Sequence, residues 1–223
     1  LIEGLEVIRH PRARRMRLAI DPRDGTVRLT IPPRASLAKA MQWVGEQQGW
    51  IAAQRERLPG GRPFVPGATL PFGDGVLTIL WPAAGVRGVR REGDQLLCGG
   101  TEEGLSRRVE RWLRAEALRV LSEETAHYAA LAGVRVTKVA IGDARSRWGS
   151  CASTGVIRYS WRLILAPSAV RRATVAHEVA HRVHMNHGPD FHALVEQLYG
   201  ADPMPQRQWL RMHGAGLHWV GRD

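Results

Sequence analysis

The sequence predicts an α+β protein with a strand-rich front half and a helix-rich back half. In the back half, an H-E-x-x-H helix lies beside a small mixed or antiparallel sheet. Three observations carry this. Segments of period-two apolar alternation crowd the first hundred residues, "RMRLAID" and "TVRLTI" being the clearest. A long stretch of helical periodicity follows, with Leu105, Val109, Trp112, Leu113, Leu118 and Leu121 as its apolar stripe. The segment "VAHEVAHRVHMNHGPDF", Val175 to Phe191, then gathers four of the chain's nine histidines around a single glutamate.

Residues 6 to 31 read as a hairpin. Met16, Leu18 and Ile20 alternate with Arg15, Arg17 and Ala19, and Val27, Leu29 and Ile31 alternate on the returning strand. "DPRDG" turns between them, Pro22 presetting its φ and Gly25 permitting a positive one. "PPRAS" breaks the strand, and Ser36 caps a helix running to about Leu58, with Leu37, Met41, Val44 and Ile51 at helical spacing. "PGGRPFVPG" ends that helix, and short strands follow around 68 to 98, with "FGDG" and "REGDQ" as turns. The long amphipathic helix covers about 102 to 131. "GVRVTKVAIG" is a strand, and "GSCASTGVIRYSWRLILAP" reads as a second hairpin turning at Ser153-Thr154-Gly155. Pro167 and Ser168 open the histidine helix, and helices at about 189 to 199 and 204 to 212 follow. The composition shift at "CGGTEEG" sets a boundary near residue 100, dividing a strand-rich 1–100 region from a 101–223 domain.

With 223 residues, 44% hydrophobic and 24% charged, the chain is globular in composition and long enough to bury a sizeable core. No run approaches the roughly 18 to 20 apolar residues of a membrane span, and the opening "LIEGLEVIRHPRARR" lacks the apolar centre of a secretory signal. Two cysteines, Cys98 and Cys151, are too few for a disulfide framework and point to a reducing cytoplasm. The formal charge of +11 invites a nucleic-acid or acidic-surface partner. Lys39 and Lys138 are the exceptions among otherwise arginine-only cations, an excess that composition bias produces as well.

In His177-Glu178-Val179-Ala180-His181 the two histidines stand four residues apart, about one turn along the same helix face. Both imidazoles can then reach one ion at about 2.0 Å. Glu178 points roughly 100° away from His177, so it borders the open coordination position rather than adding a third ligand. Zinc there lowers the pKa of water, and a neighbouring carboxylate takes the proton as general base. His187 is the preferred third ligand, because Gly188 and Pro189 force the helix to stop and let the chain return from another direction. His184 would lie in line on the same helix, a poor tetrahedron, and Glu196 on the following helix is the remaining candidate. His10, His127, His213 and His218 read as surface or interface residues, His192 as a packing residue, and Cys151 as a small buried residue.

"SRWGSC" (Ser146 to Cys151), "WRLILAP" (Trp161 to Pro167), "HEVAH" and "NHGPDF" occur in the order and spacing of the YgjP-like metallopeptidases. The chain resembles that family over about residues 7 to 215, including the opening "RRMRLAIDPRDGTVRLTIPPRAS" and its Trp-containing helix. The family is related to SprT-type proteases and, more distantly, to other zincins. The resemblance implies a zincin-like, zinc-dependent peptidase with one Zn2+ per chain, held by His177, His181 and His187, with Glu178 as catalytic base. It also implies that the "SRWGSC" strand lies beside the active-site helix, where an extended peptide or unfolded protein could bind by strand addition, with Arg147 and Trp148 at the cleft. Asp190 stands where the family's common motif has a small or basic residue. Tyr159, Arg147 and the hairpin backbone are candidates for stabilising the oxyanion. Two other readings remain: a nucleic-acid-associated protein whose zinc is structural, closed by His184 or Cys151, and a non-catalytic peptide-binding scaffold.

Overall fold

The computed structural model describes residues 2–222, which divide into two compact units, one up to Gly60 and one from Gly61 onward. The first contains β1 (Leu5–Arg9), β2 (Arg17–Ile20), β3 (Val27–Ile31), α1 (Leu37–Glu46) and α2 (Gln48–Arg55). β2 and β3 form the expected antiparallel hairpin, Leu18 opposite Leu29, and Gly25 adopts the positive φ of 73° that the turn needs. β1 adds in parallel on the far side of β3, Val7 opposite Leu29. Its sequence gave no alternation to read, because four of the five residues of "LEVIR" are exposed.

Val27, Leu29 and Ile31 form a fully buried face that packs with Ala40, Val44 and Ile51 of the two helices. Ser36 caps α1, its Oγ accepting from the Lys39 amide at 3.4 Å. The single helix expected to Leu58 is two helices, interrupted at Gln47 where ψ is 10°.

The hairpin turn is held by a buried carboxylate. Asp21 accepts from the Arg23 side-chain Nε at 2.7 Å and from the Arg23 backbone amide at 3.0 Å. The Arg23 hydrogen bond is the main reason that the Asp21 carboxyl is held down at about 2, against the opposing cost of burial. A carboxyl with a depressed folded pKa stabilises the fold above its ordinary value near 4, and this contribution disappears as pH falls through about 2. Asp21→Asn is therefore expected to lower stability at pH 7 by on the order of 2 kcal/mol. Denaturant titrations of the two proteins should converge as the pH approaches 2.

The second unit opens with a four-stranded sheet of β4 (Thr69–Phe72), β5 (Gly75–Leu80), β6 (Val89–Glu92) and β7 (Gln95–Cys98), in the order β4-β5-β7-β6. The long helix α3 (Leu105–Leu131) follows. A second sheet of β8 (Lys138–Gly142), β9 (Gly149–Cys151) and β10 (Val156–Ser160) has β10 at its centre, parallel to β8 and antiparallel to β9. Helices α4 (Ser168–Ala180), α5 (Pro189–Tyr199) and α6 (Met204–Leu217) complete the unit. Leu70, Leu77 and Leu96 of the first sheet share one core with Leu105 and Leu113 of α3 and with Val175 and Val179 of α4. This common core is why compactness divides the chain at Gly60 and not near residue 100. "CGGTEEG" marks a loop leading into α3.

"WRLIL", read from its apolar run as the end of a hairpin strand, is instead a fully buried 3-10 turn, Trp161–Leu165. Arg162 within it is 5% exposed; its guanidinium donates to the Asp143 carboxylate and to the carbonyls of Leu217 and Val220. The turn is thereby tied to the end of α6. α4 is anchored at its start by Asp74, whose carboxylate accepts from the Ser168 amide at 2.9 Å, and along its length by Arg171, which grips Glu124 of α3 at 2.8 Å. The helix that carries the histidines is thus held at several points. Among the described residues, no helix is long and apolar enough to cross a membrane.

Candidate active site

α4 ends earlier than the sequence suggests. His181 is already its C-cap, and the amides of Val183 and His184 both return to the Ala180 carbonyl. The Arg182 guanidinium holds this reversal by donating to the carbonyls of Arg135, Ala152 and Ser153. His187 then comes back on the connecting loop before Pro189 opens α5.

The result is a group of three histidines. One ring nitrogen each from His177, His181 and His187 lies within 4.8 Å of the others. The Nε2 atoms of His177 and His187 are 3.3 Å apart. Two nitrogens bound to one tetrahedral zinc at their ordinary bond length stand about 3.3 Å apart, so the donor set fits that ion. His181 Nδ1 lies 3.0 Å from the His184 carbonyl; donating there fixes the tautomer and leaves Nε2 with its lone pair. Burial, followed by the charges of the neighbouring histidines, holds His177 down at about 3, and burial also lowers His181. Both shifts favour the neutral ring, the form in which an imidazole binds a metal.

Phe191, fully buried at the start of α5, is the surface on which the rings lean. It stacks on His181 at 4.5 Å and meets His177 and His187 edge-on at 4.9 and 4.8 Å. In the sequence Phe191 is only the last letter of "NHGPDF", with no pattern that marks it as a platform for the rings. Asp190 beside it sits in the first turn of α5, where a carboxylate suits the helix dipole.

Glu178 is 6% exposed, on the α4 face turned toward β9. Burial pushes its carboxyl up to about 7, with the positive charge of Arg147 opposing. The strand approaches it so closely that a Cβ on Gly149 would fall 2.5 Å from Glu178 Oε1 and 2.6 Å from its Cγ. The glycine of "SRWGSC" is there for space, and its φ is not the reason. Trp148, next to it, is pinned by a similar close approach to Gly214 and by the ring of His218 at 5.5 Å. Arg147, Trp148, Gly149, His177 and Glu178 line one cavity of about 240 Å3.

Two expectations, for His218 and Tyr159, are corrected. His218 is 3% exposed, not a surface residue, because its ring packs on Trp148. The Tyr159 hydroxyl is no oxyanion donor: the ring is buried and its oxygen is paired with Thr125 Oγ1 at 3.0 Å. His184 supplies its carbonyl, and neither its imidazole nor Glu196 belongs to the histidine group. Cys151 lies in β9 with its thiol pushed up by burial, outside that group.

No curated protein matches the chain. The crystal structure of the metallopeptidase zymogen of Pyrococcus abyssi abylysin aligns at 15% identity and a TM-score of 0.38, over 42% of this chain and 92% of that one. That likeness is too loose to bear on activity. The model of the YgjP-like metallopeptidase domain, by contrast, matches residues 14–213 and so takes in both units. The α+β fold and the histidine cluster fit a zincin-like domain. A match of that length, running through the hairpin, the glycine strand and all three histidines alike, makes the chain a member of the YgjP-like metallopeptidase family.

Proposed function

We propose that the protein hydrolyses peptide bonds as a zinc-dependent metallopeptidase, with one zinc held by His177, His181 and His187 and Glu178 acting as general base. The observation that carries this is the group of three imidazoles whose ring nitrogens converge, with a buried carboxylate one residue along the same helix. Zinc supplies Lewis-acid activation of water and of the scissile carbonyl. Glu178 takes the proton of the attacking water and passes it to the leaving amine. Phe191 and the His184 carbonyl fix the orientation of the rings. Gly149 sets how closely the carboxylate can approach the substrate-facing strand. β9 is the edge of its sheet, so its outer backbone groups suit an extended peptide added as a further strand.

A structural zinc needs a fourth protein ligand, and among the described residues the group stops at three. The test is metal removal. A chelator is expected to abolish cleavage of an unfolded protein such as casein, and added zinc to restore it. Wild type should hold about one zinc per chain and His187→Ala clearly less. Unchanged zinc content in His187→Ala would exclude that residue from the ligand set.

A further inference from the structure

The cavity beside His177 and Glu178 has two unlike sides. Val170 and Ala173 of α4, Val195 of α5 and Leu210 of α6 give it apolar walls, and Arg147 and Arg207 bring two guanidinium groups to its lining. Among the described residues, neither arginine forms an ion pair within 4.0 Å of a carboxylate. Both are exposed, and their charges are felt at the site itself, Arg207 at His177 and Arg147 at Glu178. Glu178 is the one acidic residue in the lining. At about 240 Å3 the space lies below the roughly 300 Å3 at which small-molecule sites begin, so it takes one side chain or a chain end.

That combination is selective. An apolar residue would fill the walls but leave the two cations with Glu178 as their one acidic neighbour in the lining, and a basic residue would meet like charge. An acidic side chain lays its methylenes on the wall and offers its carboxylate to a planar guanidinium fork. A free C-terminal carboxylate presents the same chemistry. Resting on the metallopeptidase reading above, we propose that this cavity selects a carboxylate-bearing residue of the peptide close to the bond that is cut, with Arg207 and Arg147 as its specificity determinants.

The experiment measures binding on Glu178→Gln protein, so that cleavage does not confuse it. Labelled peptides with amidated ends carry a single Glu, moved through the sequence, each against its Gln counterpart. A second set has no acidic side chain and either a free or an amidated C-terminus. Fluorescence polarisation is expected to give about tenfold or tighter binding when a carboxylate occupies one position, the worth of one charge-assisted hydrogen bond. Which set shows it tells an acidic side chain from a chain end. Arg207→Gln should remove most of the preference, and Arg207→Lys, keeping the charge without the fork, should retain part of it. Equal binding of charged and neutral peptides in both sets overturns the proposal, as does a preference that survives Arg207→Gln and Arg147→Gln together. Casein cleavage by wild type judges the peptidase reading separately. If wild type cuts without any preference, only the specificity claim fails.

Discussion

Glu178→Gln is expected to keep about one zinc per chain and to lose cleavage of unfolded protein by roughly 10²- to 10⁴-fold. The amide has the shape of the carboxylate, so it occupies the same buried slot against Gly149 and leaves the three imidazoles undisturbed. It cannot take a proton, which removes the step assigned to it. The fold should not suffer. Burial disfavours the charged form of Glu178, so a neutral amide relieves that cost, and thermal unfolding should occur at the wild-type temperature or above it. Stability thereby separates lost chemistry from lost structure. A variant that cuts as fast as wild type would move the base elsewhere. A variant that loses its zinc would make Glu178 a ligand.

The site was legible in the sequence where its geometry is local. Four-residue spacing on a helix puts His177 and His181 on one face whatever the rest of the chain does. A break in the helix near His187 was legible from Gly188-Pro189, and the structure places that ring against the other two, although the chain reverses earlier, just after His181. What escaped the sequence depends on distances between elements. The helix stops at His181, several residues before the glycine, because Arg182 is drawn to the carbonyls of Ala152 and Ser153 on the second hairpin and of Arg135 ahead of β8, 47 positions away. β1 pairs with β3 without any alternation of its own, because its neighbours and not its faces determine it. "WRLIL" is apolar enough for a strand, and only the buried hydrogen bonds of Arg162 to the end of α6 show why it turns. The boundary near residue 100 marks a change of composition, whereas the compact units follow the shared core. Phe191 and Gly149 lie inside recognisable motifs, yet their tasks, a platform for the rings and a gap for the carboxylate, appear only when the elements are assembled.

Gly149→Ala tests that gap, and its effect should be large for a single methyl group. The new Cβ would sit 2.5 Å from Glu178 Oε1, closer than nonbonded atoms approach, so either the carboxylate swings away or β9 retreats from α4. Overpacking of this kind costs about 1 to 3 kcal/mol of stability. A displacement near 1 Å at a catalytic group costs on the order of 100-fold in rate. Zinc content should remain at the wild-type level, since the clash is with Glu178 and not with the imidazoles. The decisive comparison is a double-mutant cycle on kcat/KM with Glu178→Gln. If Gly149 matters to activity through the position of that carboxylate, adding Gly149→Ala to Glu178→Gln should cost little more, whereas independent roles would multiply. Glu178→Asp supplies the opposite arm: its shorter side chain withdraws from the strand and should lose less to the added methyl than wild type does. Full additivity in both arms would mean that β9 is felt by the substrate directly, and that the glycine serves the peptide's path along the strand instead of the base.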